Sequence, residues 1–308
     1  MTNPNQRSGI LLLDKPKGVS SAGVVARVKR ILRADRVGHA GTLDPDATGL
    51  LIVLLNGATR AASHAALGIK RYSGEIVLGI TTTSDDLSGE ILSRSDDIPS
   101  FDRIEAAALE LQGEIMQLPP KISAKKLNGR RAYKLFRGGE DFELTPRQVE
   151  VREFKLTPTP DASTVAYLTS VSPGTYVRSL ARDLGAVLGC GGTVKSIRRE
   201  ASGHLSVVDS VSLDDISWDK VIDWGELLPH LPRVIFSSGI AKGLLNGQMR
   251  ALREAWDEYQ TREADVVLNR SSDLVLYSEK AGGESLGLLR LAEDSGFEFE
   301  LNIGYRQD

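Results

Sequence analysis

The sequence predicts an α+β protein built on a mixed, mostly antiparallel sheet, followed by a small β-rich C-terminal domain. Strand-like and helix-like segments alternate irregularly, without the repeating βαβ period of a doubly wound parallel sheet. The run Leu50 to Leu55 is wholly apolar and short, which suits a strand covered on both faces. After Pro232 a new apolar run, Val234-Ile235-Phe236, opens an acid-rich tail holding several short strand-like pieces. At 308 residues the chain exceeds one ordinary domain, and the division is placed at 1–231 and 232–308.

Taken in order, Gly9 to Leu13 reads as a short buried strand that stops at Asp14-Lys15-Pro16. Ser20 or Ser21 then caps a helix whose apolar face is Val24, Val25, Val28, Ile31 and Leu32. Ala58 to Leu67 reads as helix, Tyr72 to Ile80 as strand and Thr81 to Gly89 as a polar loop. Phe101 to Leu111 has helical spacing at Ile104, Ala107, Ala108 and Leu111, and Pro119-Pro120 interrupts regular structure beyond it. Val149 to Lys155 and Thr164 to Val171 are strand-like, Tyr176 to Leu188 is helical and ends at Gly189, and Val194 to Ile197 reads as strand. In the tail Val266 to Leu268, Leu274 to Tyr277, Leu286 to Leu291 and Phe297 to Leu301 are strand-like.

Composition removes several classes of function. Cys190 is the sole cysteine and cannot form an internal disulfide, and His39, His64, His204 and His230 have no zinc-type spacing, so no metal is expected. The first residues hold no apolar stretch resembling a secretory signal, and no run approaches the roughly 20 apolar residues that cross a bilayer. A cytoplasmic protein without a membrane partner is the expectation. The formal net charge of −3 offers no general attraction to a polyanion, so a nucleic-acid reading needs a local cluster. Residues 121–137 supply one: Lys121, Lys125, Lys126, Arg130, Arg131, Lys134 and Arg137 occur with no acid among them, and Tyr133 and Phe136 interleave. A solvated basic surface is the plainer reading, but cations alternating with aromatics also suit phosphates and an unstacked strand.

Asp44 stands in a loop made rigid by Pro45 and pliant by Gly41 and Gly49, just ahead of the apolar strand. Asp before Pro is also a helix-start signal, with Asp at the N-cap. The longer string, Gly38-His39-Ala40-Gly41-Thr42-Leu43-Asp44-Pro45-Asp46-Ala47-Thr48-Gly49, strongly resembles the active-site motif of the TruB family of tRNA pseudouridine synthases. A second stretch, Gly174-Thr175-Tyr176-Val177-Arg178-Ser179-Leu180-Ala181-Arg182-Asp183-Leu184-Gly185, resembles the family's Gly-Thr-Tyr-x-Arg-x-Leu-x-x-Asp-Leu-Gly, and Lys70-Arg71-Tyr72 its Lys-x-Tyr element. The tail segment Ile240 to Gln248 resembles the start of a PUA domain, an RNA-binding module.

The resemblance implies a pseudouridine-synthase fold with a PUA-like C-terminal domain and conversion of uridine 55 in the T loop of tRNA to pseudouridine by base flipping. It makes Asp44 the catalytic carboxylate, acting on the sugar or base directly or assisting proton loss so that a glycal forms, with both routes open. Arg178 would orient that acid, and Tyr72 would stack on the base and take up its C5 proton. Lys15 with Pro16 would buttress the site, His39 would wedge beside the extruded nucleotide, Ile197 would wall the uracil, and Tyr176 would join them in binding. Lys125, Lys126, Arg130 and Arg131 fall in the basic RNA-gripping thumb, about 119–150. No cofactor is implied, because the isomerisation has no redox step or group donor. The resemblance implies tRNA as the partner, and the basic insert at Pro119 to Arg137 points to the stand-alone branch, so no guide RNA is expected; a monomer is the expectation, although no residue of the sequence bears on oligomeric state. Thr82-Thr83-Ser84 departs from the family's Thr-Asp-Thr, and Ile122 from a common aromatic.

Overall fold

A computed structural model of the chain describes residues 7–120, 126–127, 130–131, 144–261, 274–279, 284–292 and 296–302. The first strand, β1 (Gly9–Lys15), leads into helix α1 (Ser21–Leu32), where the Ser20 hydroxyl caps by accepting from the Gly23 amide. β2 (Val37–Ala40) and β3 (Thr48–Leu55) follow. Side chains alternate along β3, so Leu51, Val53 and Leu55 enter one core cluster and Leu50, Ile52 and Leu54 another. Both faces are covered, as the unbroken apolar run required.

The single helix expected over Ala58 to Leu67 is instead a 3-10 turn, Asn56–Ala61, and one α-helical turn, α2 (Ala62–Ala65). Asn56 is the cause. Its buried side chain accepts from the amides of Asp35 and Arg36 and donates to the Arg7 carbonyl, and the Thr59 hydroxyl donates to the Asn56 carbonyl, tightening the first turn. β4 (Lys70–Leu78) precedes a short hairpin of β5 (Ile80–Thr82) and β6 (Ile91–Arg94). The expected polar loop therefore begins as a strand, because the Gly79 amide bonds the Gly191 carbonyl and turns the chain there.

α3 (Phe101–Glu110), β7 (Gly113–Gln117), β8 (Lys126–Leu127), β9 (Arg130–Arg131), β10 (Arg147–Pro158) and β11 (Thr164–Val171) come next. They are followed by α4 (Val177–Leu188), β12 (Gly192–Ser202) and β13 (Leu205–Ser206). The main sheet runs β1-β3-β12-β4-β11-β10-β7, with β2 paired to β3 and β13 to β12. Its pairings are antiparallel except β3 with β12. α1, α3 and α4 cover one face through Val24, Val28, Ile104, Ala107, Leu180 and Leu184.

β14 (Arg233–Ile235), α5 (Ser238–Leu245), α6 (Met249–Thr261), β15 (Leu274–Ser278), β16 (Gly287–Ala292) and β17 (Gly296–Asn302) complete the described chain. The four strands form one sheet in sequence order. The β-rich tail also carries two helices that its short strand-like pieces did not announce; Ala241, Leu244, Ala251 and Ala255 pack with Phe236, Tyr277 and Phe297. Val266 to Leu268, expected as strand, lies outside the described residues. Among the described residues no helix is long and apolar enough to cross a membrane.

Candidate active site

The loop between β2 and β3 carries Asp44, and its backbone is held at almost every residue. Asp44-Pro45-Asp46-Ala47 is a β-turn closed by the Ala47 amide on the Asp44 carbonyl at 3.1 Å, so Pro45 starts a turn rather than a helix. Lys15, fully buried, donates from Nζ to the carbonyls of Pro16 (3.0 Å), Val19 (2.7 Å) and Pro45 (2.9 Å). Burial pushes its ammonium pKa down, and the carboxylates of Asp46 and Asp44 oppose that shift. On the other side of Asp44, the Ser21 hydroxyl donates to the Leu43 carbonyl (2.8 Å) and accepts from its amide (2.9 Å). Gly49 ends the loop with φ 96° where β3 meets β12; a Cβ there would sit 2.3 Å from the Arg199 carbonyl oxygen.

Arg178 rises from the first turn of α4 with its side chain 6% exposed, beneath an Asp44 side chain that is 45% exposed. Its Nε lies 3.1 Å from Asp44 Oδ2, while Nη1 donates to the Ser84 carbonyl (2.9 Å) and meets Asp86 Oδ2 at 3.3 Å. One guanidinium thus serves two carboxylates. Asp86 is fixed in turn, since its Oδ1 accepts from the Ser84 hydroxyl (2.6 Å) and from the amide (3.0 Å) and hydroxyl (2.5 Å) of Ser88. The loop is stitched to β12 by Leu87 N to Val194 O and Val194 N to Asp85 O, both 3.1 Å.

Above the pair opens a cleft of about 200 Å³. Asp44, Asp46 and Asp86 supply its acids, Lys17 and Lys195 its cations, and Leu87, Val194 and Ile197 its apolar wall. It can admit a flat, partly apolar ring and set one half-exposed carboxylate against it.

The other expected residues fall into three groups. Ile197 lines the cleft with Asp44, and Lys15 braces the loop from below. Tyr72, 8% exposed, packs in the cluster of Leu43 and Ala47 against which Ile197 rests, behind the cleft rather than in its lining. Tyr176 sits at the N-cap of α4, its amide donating to Gln117 Oε1 (2.8 Å) and its carbonyl accepting from Gln117 Nε2 (3.2 Å). His39 lies on β2 opposite Val53, its Nδ1 buried with no hydrogen bond among the described residues, and burial and nearby Arg199 push its pKa down. Neither Tyr176 nor His39 lines the cleft. Of the thumb, Lys125 lies outside the described residues, and Lys126, Arg130 and Arg131 are placed by backbone pairing alone, Lys126 opposite Arg131.

Ser88 and Gln117 were not singled out from the sequence, and Ser84 and Asp86 entered only through the Thr82-Thr83-Ser84 departure, which leaves Asp85 and Asp86 as the nearby acids, with no partner assigned to them. The signal for Asp86, Ser84 and Ser88 is a carboxylate with hydroxyls at both i−2 and i+2 in a short loop, an Asx-turn pattern. Among the described residues no three His, Cys, Asp or Glu side chains are grouped to hold a metal ion.

Residues 29–177 match the family model described as TruB family pseudouridylate synthase, N-terminal domain, and residues 178–226 that of the tRNA pseudouridylate synthase B C-terminal domain. The class is that of the pseudouridylate synthases, isomerases that act on RNA. Within it, the chain belongs to the TruB family. The two matches meet inside α4, so Asp44 and Arg178 come from different matched segments. The chain is 38% identical over 285 residues to tRNA pseudouridine synthase B of Ruegeria pomeroyi, covering 87% of this chain and 93% of that protein. It is 39% identical over 291 residues to tRNA pseudouridine synthase B of Streptomyces avermitilis, covering 91% and 96%. Its fold is similar to that in a crystal structure of a Cbf5-Nop10-Gar1 complex, with TM-score 0.68 and 23% identity, covering 98% of this chain and 86% of that one.

Proposed function

We propose that this protein converts uridine 55 in the T loop of tRNA to pseudouridine, with Asp44, Tyr72 and Arg178 as its catalytic residues. The observation that carries the reading is Asp44 held at 3.1 Å by a buried arginine and half-exposed at a cleft. The reaction breaks the bond from ribose to the base nitrogen, turns the uracil, and joins its C5 carbon to the same sugar. A carboxylate of fixed position meets that need, as nucleophile or as base toward the sugar. A stacked uridine cannot reach it, so the nucleotide flips out at a cost of a few kcal/mol, offset by contacts in the pocket.

Ile197 walls the uracil; Tyr72, in the same core cluster as Leu43 and Ala47 of the active loop, stacks on the base and takes up its C5 proton. Lys15 buttresses the loop, His39 and Tyr176 contact the flipped nucleotide, and Lys125, Lys126, Arg130 and Arg131 grip the RNA backbone. Residues 1–231 form the catalytic unit and 232–308 a PUA-like accessory to it. The partner is tRNA, which the name of the relatives, tRNA pseudouridine synthase B, supports; the enzyme acts in the cytoplasm as a monomer without guide RNA.

The purified protein alone, incubated with a T-arm transcript, is expected to modify one uridine, read by chemical mapping of pseudouridine. Asp44→Asn is expected to abolish turnover while binding persists. Full turnover by that variant would overturn the assignment.

A further inference from the structure

Three carboxylates line the cleft, Asp44, Asp46 and Asp86, yet the reading above brings a polyanion to it. Two cations share the lining. Lys195 is already engaged, its Nζ 2.9 Å from Glu75 Oε2. Lys17 is exposed and makes no hydrogen bond or ion pair among the described residues. Arg178 cannot take its place, because it is buried and bonded to Asp44, Asp86 and the Ser84 carbonyl.

The backbone around Lys17 is not free to wander. Pro16, before it, accepts from Lys15 Nζ at 3.0 Å, and the amide of Gly18, after it, donates to the Pro45 carbonyl at 2.9 Å. Lys15 Nζ also bonds that same Pro45 carbonyl, at 2.9 Å. The backbone at Lys17 is therefore tied through two residues to the turn that carries Asp44, and both side chains line the one cleft. A cation that has no partner among the described residues, on a backbone anchored to the turn of the carboxylate and in the lining of an acidic cleft, is placed to hold one phosphate.

We propose that Lys17 binds the backbone phosphate next to the target uridine and so positions the flipped nucleotide over Asp44. This rests on the RNA-modifying reading given above. The test titrates full-length protein with a T-arm RNA at several salt concentrations, and repeats it with RNA carrying a neutral methylphosphonate linkage 5′ or 3′ of the target uridine. Lys17→Ala is expected to lower the slope of log affinity against log salt by about 1. It is expected to raise KM several-fold with kcat little changed, and Lys17→Arg to restore KM. One of the two methylphosphonate linkages is expected to lower the wild-type slope by the same amount and to have no further effect on Lys17→Ala.

Lys220→Ala is the charge-matched control, since Trp218 beside it bonds the Leu32 carbonyl at the far end of α1. An unchanged slope for Lys17→Ala, or losses that add when variant and neutral linkage are combined, would overturn the proposal. If Lys17 merely offset the charge of Asp46, the variant would instead shift the pH profile of kcat and keep its response to methylphosphonate, which also overturns it. Wild-type protein that modifies no T-arm uridine would sink the parent reading and this one with it; wild-type turnover with an unaltered slope would sink only the role of Lys17.

Discussion

Around the active loop, three buried cations donate their hydrogen bonds to backbone carbonyls. Lys15 serves Pro16, Val19 and Pro45, Lys70 serves Ala66 and Gly68, and Arg199 serves Leu50 and Gly41. Loop carbonyls have no ladder partner, and one ammonium or guanidinium satisfies several at once. Asp44 is thereby positioned through its main chain. The arrangement carries a cost at Lys70, where burial, with Arg199 nearby, pushes the ammonium pKa from 10.5 down to about 8. Below about 8 both folded and unfolded chains hold the proton, and the fold bears a buried charge. Between about 8 and 10.5 the unfolded chain binds the extra proton, so stability rises with pH across that window. Lys70→Met is expected to flatten the rise, as read by thermal midpoints over that range; an unaltered slope would place the titration elsewhere. At this scale Asp44 and Arg178 were legible because each lies in a contiguous motif. Asp86 was legible only as one of two acids beside the Thr82-Thr83-Ser84 departure; its bond to Arg178 was not, because it spans 92 positions and the local pattern reads equally as an ordinary turn.

α4 does two things for the site: its first turn presents Arg178, and its side packs flush on β12. The flush contact depends on Gly185, where a Cβ would lie 2.0 Å from the Gly192 amide nitrogen. Gly185→Ala must push helix from strand, which is expected to cost about 3 kcal/mol and lower the thermal midpoint by roughly 6–12 °C. A midpoint equal to wild type would contradict that packing. The helix itself was readable from Leu180, Ala181, Leu184 and Leu188 at helical spacing and from Gly189, which stops it at φ 78°. β12 was only half readable. It runs to Ser202, well past Ile197, because Arg198 pairs with Asp14 at 2.7 Å and Arg199 donates to the carbonyls of Leu50 and Gly41, partners far away in sequence. A run of charged residues in a strand, with Arg199 buried, looks like loop until its partners are known.

Across the whole molecule, the C-terminal sheet is docked on the face of the main sheet opposite α1, α3 and α4. Leu276 and Leu288 share a core cluster with Ile10, Leu12 and Trp224. Trp224, fully buried, donates to the Ser285 carbonyl at 2.6 Å, while Asp223 accepts from the Ser285 amide (3.0 Å) and hydroxyl (2.6 Å). A chain ending near His230 is expected to bind tRNA more weakly and keep its chemistry, and also to melt earlier, because Trp224 and Leu12 lose their cover. Comparing the kcat, Kd and thermal midpoint of that truncation checks this, and a midpoint equal to that of the full chain would contradict the docking. The amino-acid order alone determined the fold class, the strand buried on both faces and the caps of α1 and α4, and through its contiguous motifs pointed to the pairing of Asp44 with Arg178, because apolar period, capping chemistry and contiguous motifs are local properties of a chain. Only the tertiary structure decided that Arg178 is shared with Asp86, that Lys17 lines the cleft, and that the C-terminal sheet closes the core over Trp224. These depend on which distant residues meet, and long-range charge pairing and close backbone approach leave no periodic mark on the sequence.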